Sequence, residues 1–374
     1  MFKHALRLPF RLLGIPLYLD LTFLLILPLL AWLIARQIAP FVALFNLPIT
    51  PGALNEGILP YALGLAAALA LFISVVIHEL GHAIVARRYG VNTERITLWL
   101  LGGMAQFKKM PTQRGAEAVV AIAGPITSGL LAALGALLLL VLPEQWPALY
   151  FVVAYTTFMN VALALFNLIP ALPLDGGRVL RSLLAMRLPR MRATQIAATV
   201  SRVLAIALGV VGIFSLNIFL ILIALFIYIA VAAEARFELA DELLSDLRVH
   251  ELMSTPVVSL PATLSVGDLL AKMLRDARHA YPVHDDSGQL RGMITLQNVQ
   301  GAPPDAPIGD YLTELPERID PDASAADLLE MMGRQDEPRV LVMPEKGPVL
   351  GIITRTDLYR ALQLLTGRTP APGH

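Results

Sequence analysis

Residues 78–82 read His-Glu-Leu-Gly-His, inside an otherwise apolar run over residues 71–85. On an α-helix, positions four apart lie one turn apart on one face. His78 and His82 can therefore offer both imidazoles to a single metal ion. Glu79 can then reach a water beside that ion: zinc makes such a water acidic, and the glutamate takes its proton as the oxygen attacks a carbonyl. The chemistry is hydrolytic, and it needs His, Glu and His rather than any three polar residues. Two helix histidines beside a solvated glutamate would be the bland alternative. A carboxylate and two imidazoles in a membrane segment are too costly for it.

Zinc on two histidines needs a third protein ligand. Asp175 is the candidate, in Phe166-Asn167-Leu168-Ile169-Pro170-Ala171-Leu172-Pro173-Leu174-Asp175-Gly176-Gly177-Arg178. Proline fixes φ and glycine permits unusual φ, so this stretch reads as a rigid break that can hold a carboxylate in place. The competing role for Asp175 is to cap a short surface helix over 178–189. Asn167 can hydrogen-bond substrate backbone or an oxyanion, or cap a helix carbonyl, and both roles stay open.

These residues need elements to carry them. The chain has 374 residues, 56% hydrophobic and 16% charged, which is unusual for a soluble protein. Its zero net charge hides a split. Residues 1–236 carry a formal +9 and residues 237–374 a formal −9. With no cysteine, thiolate ligands and disulfides are excluded. Segments near 17–38, 61–82, 118–142, 149–169, 195–213 and 215–233 are each long and apolar enough, or nearly so, to span a bilayer as helices. No cleavage site follows the first, so it reads as a retained membrane helix. One set of loops collects the basic residues, among them Arg7, Arg11, Arg87, Arg88, Lys108, Lys109, Arg178 and Arg181; the other holds Glu56 and Glu144 and almost no positive charge. Both termini are thus expected in the cytoplasm, with the protein multi-pass in the cytoplasmic (inner) membrane. Six crossings put the ends of the second and fourth helices, hence His78, His82 and Asp175, on that same side. Residues 91–107 partly alternate and contain Gly102-Gly103, which predicts short β structure shielded near the membrane surface.

A membrane-helix His-Glu-x-x-His followed by Asn167-x-x-Pro170 and Leu174-Asp175-Gly176-Gly177 resembles the site-2 protease family of intramembrane zinc metalloproteases, in its branch with C-terminal CBS domains. The resemblance covers nearly the whole chain. It implies one catalytic zinc on His78, His82 and Asp175, Glu79 as the base, and a role for Asn167. It also matches Ala123-Gly124-Pro125 in the third helix, where small residues let helices approach closely, and a β insertion beside the site. The substrates it implies are transmembrane segments of other proteins, cut in regulated intramembrane proteolysis. Such a segment must unwind to be attacked, and an extended substrate can pair with a β edge at Gly102 and Gly103.

From about residue 237 the pattern becomes soluble α/β and repeats. Residues 249–299 and 315–362 each read as an extended start, an amphipathic helix, two strands around a turn and a final helix. Gly301-Ala302-Pro303-Pro304-Asp305-Ala306-Pro307 separates them. The pair resembles a tandem CBS (Bateman) module. The expected organisation is a membrane domain over 1–236, CBS domains over 237–300 and 308–365, and a disordered tail over 366–374. The resemblance implies an adenosine nucleotide whose ribose is held by Thr354 and Asp357. In the first copy Asn298 replaces the aspartate. A dimerisation or stability module without ligand is the alternative, and the resemblance also implies that a homodimer can form through the CBS domains. No nucleic-acid partner is expected. A CBS-gated transporter and an inactive scaffold for membrane clients are the competing functions. The polar membrane residues cluster at 78–82 and 175 rather than lining a path, and intact His78, Glu79, His82 and Asp175 argue against the scaffold.

Overall fold

The computed structural model describes residues 5–100, 102–107, 113–276, 278–335, 339–345 and 347–368. The chain divides into two compact units, residues 1–236 and 237–374.

The first unit opens on an antiparallel hairpin, β1 (Leu6–Leu12) and β2 (Ile15–Leu19). Its turn is Leu13-Gly14, both at positive φ, the backbone that two-residue hairpins require. Asp20 accepts from the Thr22 N–H at 3.0 Å and so caps α1 (Leu21–Leu44). Next come α2 (Leu59–Arg88), β3 (Thr93–Trp99), β4 (Gly102–Phe107), α3 (Ala116–Val141), α4 (Pro147–Asn167), α5 (Asp175–Ala185), α6 (Arg190–Phe214) and α7 (Ile218–Ser245). Among the described residues six helices, all of these but α5, are long and apolar enough to cross a membrane. Their outward faces carry bare leucines, such as Leu130, Leu134 and Leu137 of α3. A face of this kind suits lipid, and in water it would be a large exposed apolar patch.

The predicted β structure at 91–107 is the β3–β4 hairpin, and the sheet is larger than expected. Its order is β1-β2-β3-β4, with β2 parallel to β3 in the register Leu17↔Ile96. The hairpin at 6–19 departs from the expected first helix over 17–38. Leu6, Leu8, Phe10 and Leu12 alternate with Arg7, Pro9 and Arg11, a period of two that runs straight into an apolar helix. Strand β4 closes one end of the sheet, and α2 packs beneath it.

Two of the buried clusters that hold the helices bear most on the site. Ile34, Ile38 and Phe41 of α1, Ala67 of α2 and Phe151 and Tyr155 of α4 form the larger one. Ala171 and Leu172, in the Pro-rich break, pack with Ala197, Ala198, Ile227 and Val231 of α6 and α7. The Leu172 N–H donates to Ser201 Oγ at 2.8 Å, which fixes the break against α6. The short helix after the break begins at Asp175 itself and ends at Ala185, rather than spanning 178–189.

In the second unit α8 (Val249–Leu252), β5 (Leu260–Pro261), α9 (Val266–Asp276), β6 (Ala280–His284) and β7 (Leu290–Thr295) precede β8 (Arg318–Ile319), α10 (Ala325–Gln335), β9 (Arg339–Val342), β10 (Gly351–Thr354) and α11 (Arg355–Arg368). The repeat is visible in topology. Strands β5 and β8 pair parallel with β6 and β9, which pair antiparallel with β7 and β10. Ser265–Asp268 and Ser324–Asp327 form the same side-chain cap at the start of α9 and α10. The copies exchange their leading segments: the Ser254 N–H donates to the Ile352 carbonyl, and Thr313 pairs with Met293. The expected final helix of the first copy is absent, and residues 296–301 form turns instead. Gly301, at positive φ, and Pro303-Pro304 end any helix before it can grow. Residues 366–368 of the expected tail belong to α11; 369–374 lie outside the described residues.

Candidate metal centre

α2 presents His78 and His82 on one face, 4% and 6% exposed. Asp175, the first residue of α5, meets them. Its Oδ2 lies 3.1 Å from His78 Nε2 and 3.3 Å from His82 Nε2, and the two Nε2 atoms are 3.2 Å apart. Four-coordinate tetrahedral zinc at about 2.0–2.1 Å from each ligand sets its ligand atoms about 3.3 Å apart, so this triangle fits one face of that polyhedron.

The outer hydrogen bonds agree. His82 Nδ1 lies 2.8 Å from the Val120 carbonyl, which only accepts, so Nδ1 carries the proton and the neutral ring turns a bare lone pair inward at Nε2. His78 Nδ1 lies 2.9 Å from Ser128 Oγ, which is fully buried. Lone pairs and a carboxylate oxygen aimed at one point repel unless a cation sits between them. The donor set of two imidazoles and a carboxylate suits zinc, and it is the one His/Asp/Glu group of this kind among the described residues.

Gly124 of α3 makes room for it. A Cβ there would overlap the Nε2 atoms of both histidines. The small residues of Ala123-Gly124-Pro125 thus do more than bring helices together; Gly124 is the wall of the centre.

Glu79 is half-buried, and its Oε2 accepts from the Ala105 N–H of β4 at 3.0 Å. Gly103 lets the strand pass this close, since a Cβ there would come within 2.8 Å of Val75 Cγ1 and 2.9 Å of Glu79 Cγ. Gly102 beside it sits at φ +130°, a conformation side chains rarely adopt. His78, Glu79, His82, Gly102, Gly103, Asn167 and Asp175 all line one cavity of about 340 Å³. Asn167 donates Nδ2 to the Leu163 carbonyl one turn back at 3.0 Å, so in this state it caps its own helix while facing the cavity. Sequence reasoning missed Ser128, the Ala105 N–H, and Arg178, which also lines the cavity. A hydroxyl in the apolar run of α3 marks Ser128 no more than it marks Thr127 beside it.

Thr354 and Asp357 lie in the second unit. Asp357 Oδ2 accepts from the Thr354 N–H at 2.9 Å and its hydroxyl at 2.7 Å, capping α11. Asn298 takes the same position toward Thr295. Thr354 lines a 260 Å³ cleft with Arg278, His279 and Arg339, while Asp357 is not on its wall.

A bundle of apolar helices enclosing a His-His-Asp centre, joined to two repeated α/β copies, defines a membrane metallohydrolase class with a C-terminal CBS pair. The peptidase family M50 profile matches residues 66–147 and 143–208, and the CBS domain profile matches 249–305 and 308–364. The chain is 33% identical over 369 residues to a zinc metalloprotease of Methanocaldococcus jannaschii, covering 97% of each. It is 32% identical over 329 residues to Rip3 of Mycobacterium tuberculosis, covering 83% of this chain and 84% of that one. The solved site-2 protease from M. jannaschii is 34% identical, with a TM-score of 0.43, over 62% of this chain and 95% of that one. The chain belongs to the site-2 protease-like zinc metalloproteases of peptidase family M50, with two C-terminal CBS domains.

Proposed function

We propose that the protein is a zinc-dependent intramembrane endopeptidase that hydrolyses peptide bonds in or near transmembrane segments of membrane proteins. The observation that carries this reading is the convergence of His78, His82 and Asp175 in the cavity that also holds the Glu79 carboxylate and the β4 strand. His78, His82 and Asp175 would hold the ion, oriented through Ser128 and the Val120 carbonyl. When bound, zinc supplies a Lewis acid that brings the pKa of water close to neutral. Glu79 removes the proton of the attacking water and delivers it to the leaving nitrogen. The Ala105 N–H holds this carboxylate in its aim. An unwound substrate adds as a strand at β4, where Gly102 and Gly103 leave no side chain in the way. Its amides then compete with Glu79 for the outward groups of β4. Asn167 contributes a hydrogen bond to substrate backbone once released from Leu163.

The basic loops of the first unit support a cytoplasmic-membrane location with both termini and the CBS pair in the cytoplasm. The CBS pair is read as a regulatory module that takes an adenosine nucleotide in the Thr354 cleft and can pair with a second copy.

The test compares purified wild type with Glu79→Gln on a membrane-spanning substrate. Cleavage is expected from the wild type alone, with one zinc retained by both proteins. Equal cleavage by the two would remove Glu79 as the base.

A further inference from the structure

Two arginines one turn apart on α5 have opposite surroundings. Arg181 is 3% exposed and is neutralised twice. Its Nε donates to Glu117 of α3 at 3.0 Å, with a second, shorter bond from Nη2, and its Nη1 donates to Glu234 of α7 at 2.9 Å. Arg178 has neither partner. Among the described residues no hydrogen bond or ion pair reaches its side chain, and its Nε is buried and unsatisfied. It lines the cavity that holds His78, Glu79, Asn167 and Asp175. It also stands three residues after Asp175, close enough on a helix to be its neighbour. Asp175 does not serve it, since its Oδ2 is turned to the histidines.

Arg178 is half-buried with its Nε out of solvent, so leaving its guanidinium unpaired carries a cost, one the protein avoids at the next arginine with two acids. The cost is offset when its partner arrives with the substrate. The chemistry it fits is an anionic oxygen, met by several N–H donors of a group that stays charged. Hydrolysis creates such an oxygen in the cavity. As the water oxygen bonds to the scissile carbon, the carbonyl π pair moves onto its oxygen. Collapse re-forms C=O and breaks C–N, and the proton taken from water goes to the amine nitrogen. Asn167 has one amide hydrogen committed to Leu163 and offers only a neutral donor, about half as strong as a charged one.

We propose that Arg178 is the cavity's oxyanion donor, binding the scissile carbonyl oxygen as it becomes negatively charged. This rests on the endopeptidase reading above.

The experiment uses full-length protein in liposomes with a membrane-spanning substrate, and a peptide phosphonamidate as the tetrahedral anionic probe. Arg178→Gln is expected to keep its zinc, hold KM within about threefold, and lose about 10²-fold or more in kcat. Arg178→Lys recovers part of that loss, because it keeps the charge without the fork. Phosphonamidate affinity should fall by about the factor lost in kcat, while uncleaved substrate binds Glu79→Gln about equally with and without Arg178→Gln. If Arg178→Gln does not fold, the lysine variant is read alone for a kcat loss at unchanged zinc. Cleavage by wild type with unchanged kcat in the variants overturns the proposal; so does zinc loss in step with kcat, or equal weakening of substrate and phosphonamidate. A zinc-loaded wild type that cleaves no better than Glu79→Gln overturns the endopeptidase reading, and this one with it.

Discussion

Gly124 leaves empty the space in which the two imidazole nitrogens meet Asp175, and a Cβ there overlaps both rings. Gly124→Ala should therefore lose zinc while the helix itself gains propensity. Gly129→Ala, five residues on, is the control, because a Cβ there meets nothing within 4 Å. Metal analysis of the two purified variants checks this: zinc retained by Gly124→Ala would mean the rings have another place to go. Ser128 acts one bond further out. Removing its hydroxyl in Ser128→Ala frees the His78 ring to rotate, and zinc affinity should fall by about 10–100-fold, as read by chelator competition. The meeting of His78, His82 and Asp175 was legible in the sequence because four-residue spacing on a helix and a carboxylate pinned by Pro and Gly have few other uses in an apolar helix bundle. Ser128 was not legible. Its neighbour Thr127 bonds back to the Ala123 carbonyl of its own helix, and nothing in the sequence distinguishes the two hydroxyls.

α5 delivers Asp175, the proposed third ligand, and its placement is over-determined. Gly176 lies directly on the carbonyls of Leu168 and Ile169, and Gly177 on the backbone of Ala171 and Leu172, so neither tolerates a side chain. Ser182 Oγ accepts the Ala118 N–H at 3.0 Å, and Arg181 ties α5 to Glu117 and Glu234. Removing one partner of a buried ion pair costs about 3–5 kcal/mol, since the remaining charge is left uncompensated. Glu117→Gln should approach the lower end of that range, because Glu234 stays. Arg181→Met should cost less on top of Glu117→Gln than it does alone, because Glu117 then leaves no unpaired charge behind. Denaturant unfolding in detergent measures both, and additive losses would show that the triad is not coupled. The rigid break was readable from its Pro and Gly residues, whereas the triad was not: Glu117, Arg181 and Glu234 come from three distant segments. The β1–β2 hairpin was obscured for a different reason. Its alternating apolar residues abut α1, and hydropathy alone merges a half-buried strand with the helix that follows.

On the scale of the whole molecule, the two units carry separate chemistry. The first holds the candidate metal centre; the second holds the Thr354 cleft with Arg278, His279 and Arg339. A nucleotide in that cleft regulates cleavage only to the extent that its affinity differs between active and inactive states, and such coupling is reciprocal. If ATP changes the affinity for a phosphonamidate at the metal centre by some factor, saturating phosphonamidate must change the affinity for ATP by that same factor. Typical couplings are about 5–150-fold, well within the reach of calorimetric titration. ATP should thus bind the full chain with two distinct affinities, one with phosphonamidate present and one without. Thr354→Val should weaken both, because it removes the hydroxyl at the cleft wall and the cap that holds Asp357. Glu79→Gln should preserve ATP binding, since it lies in the other unit. Identical ATP affinities with and without phosphonamidate would leave the CBS pair a binding or pairing module with no hold on the protease.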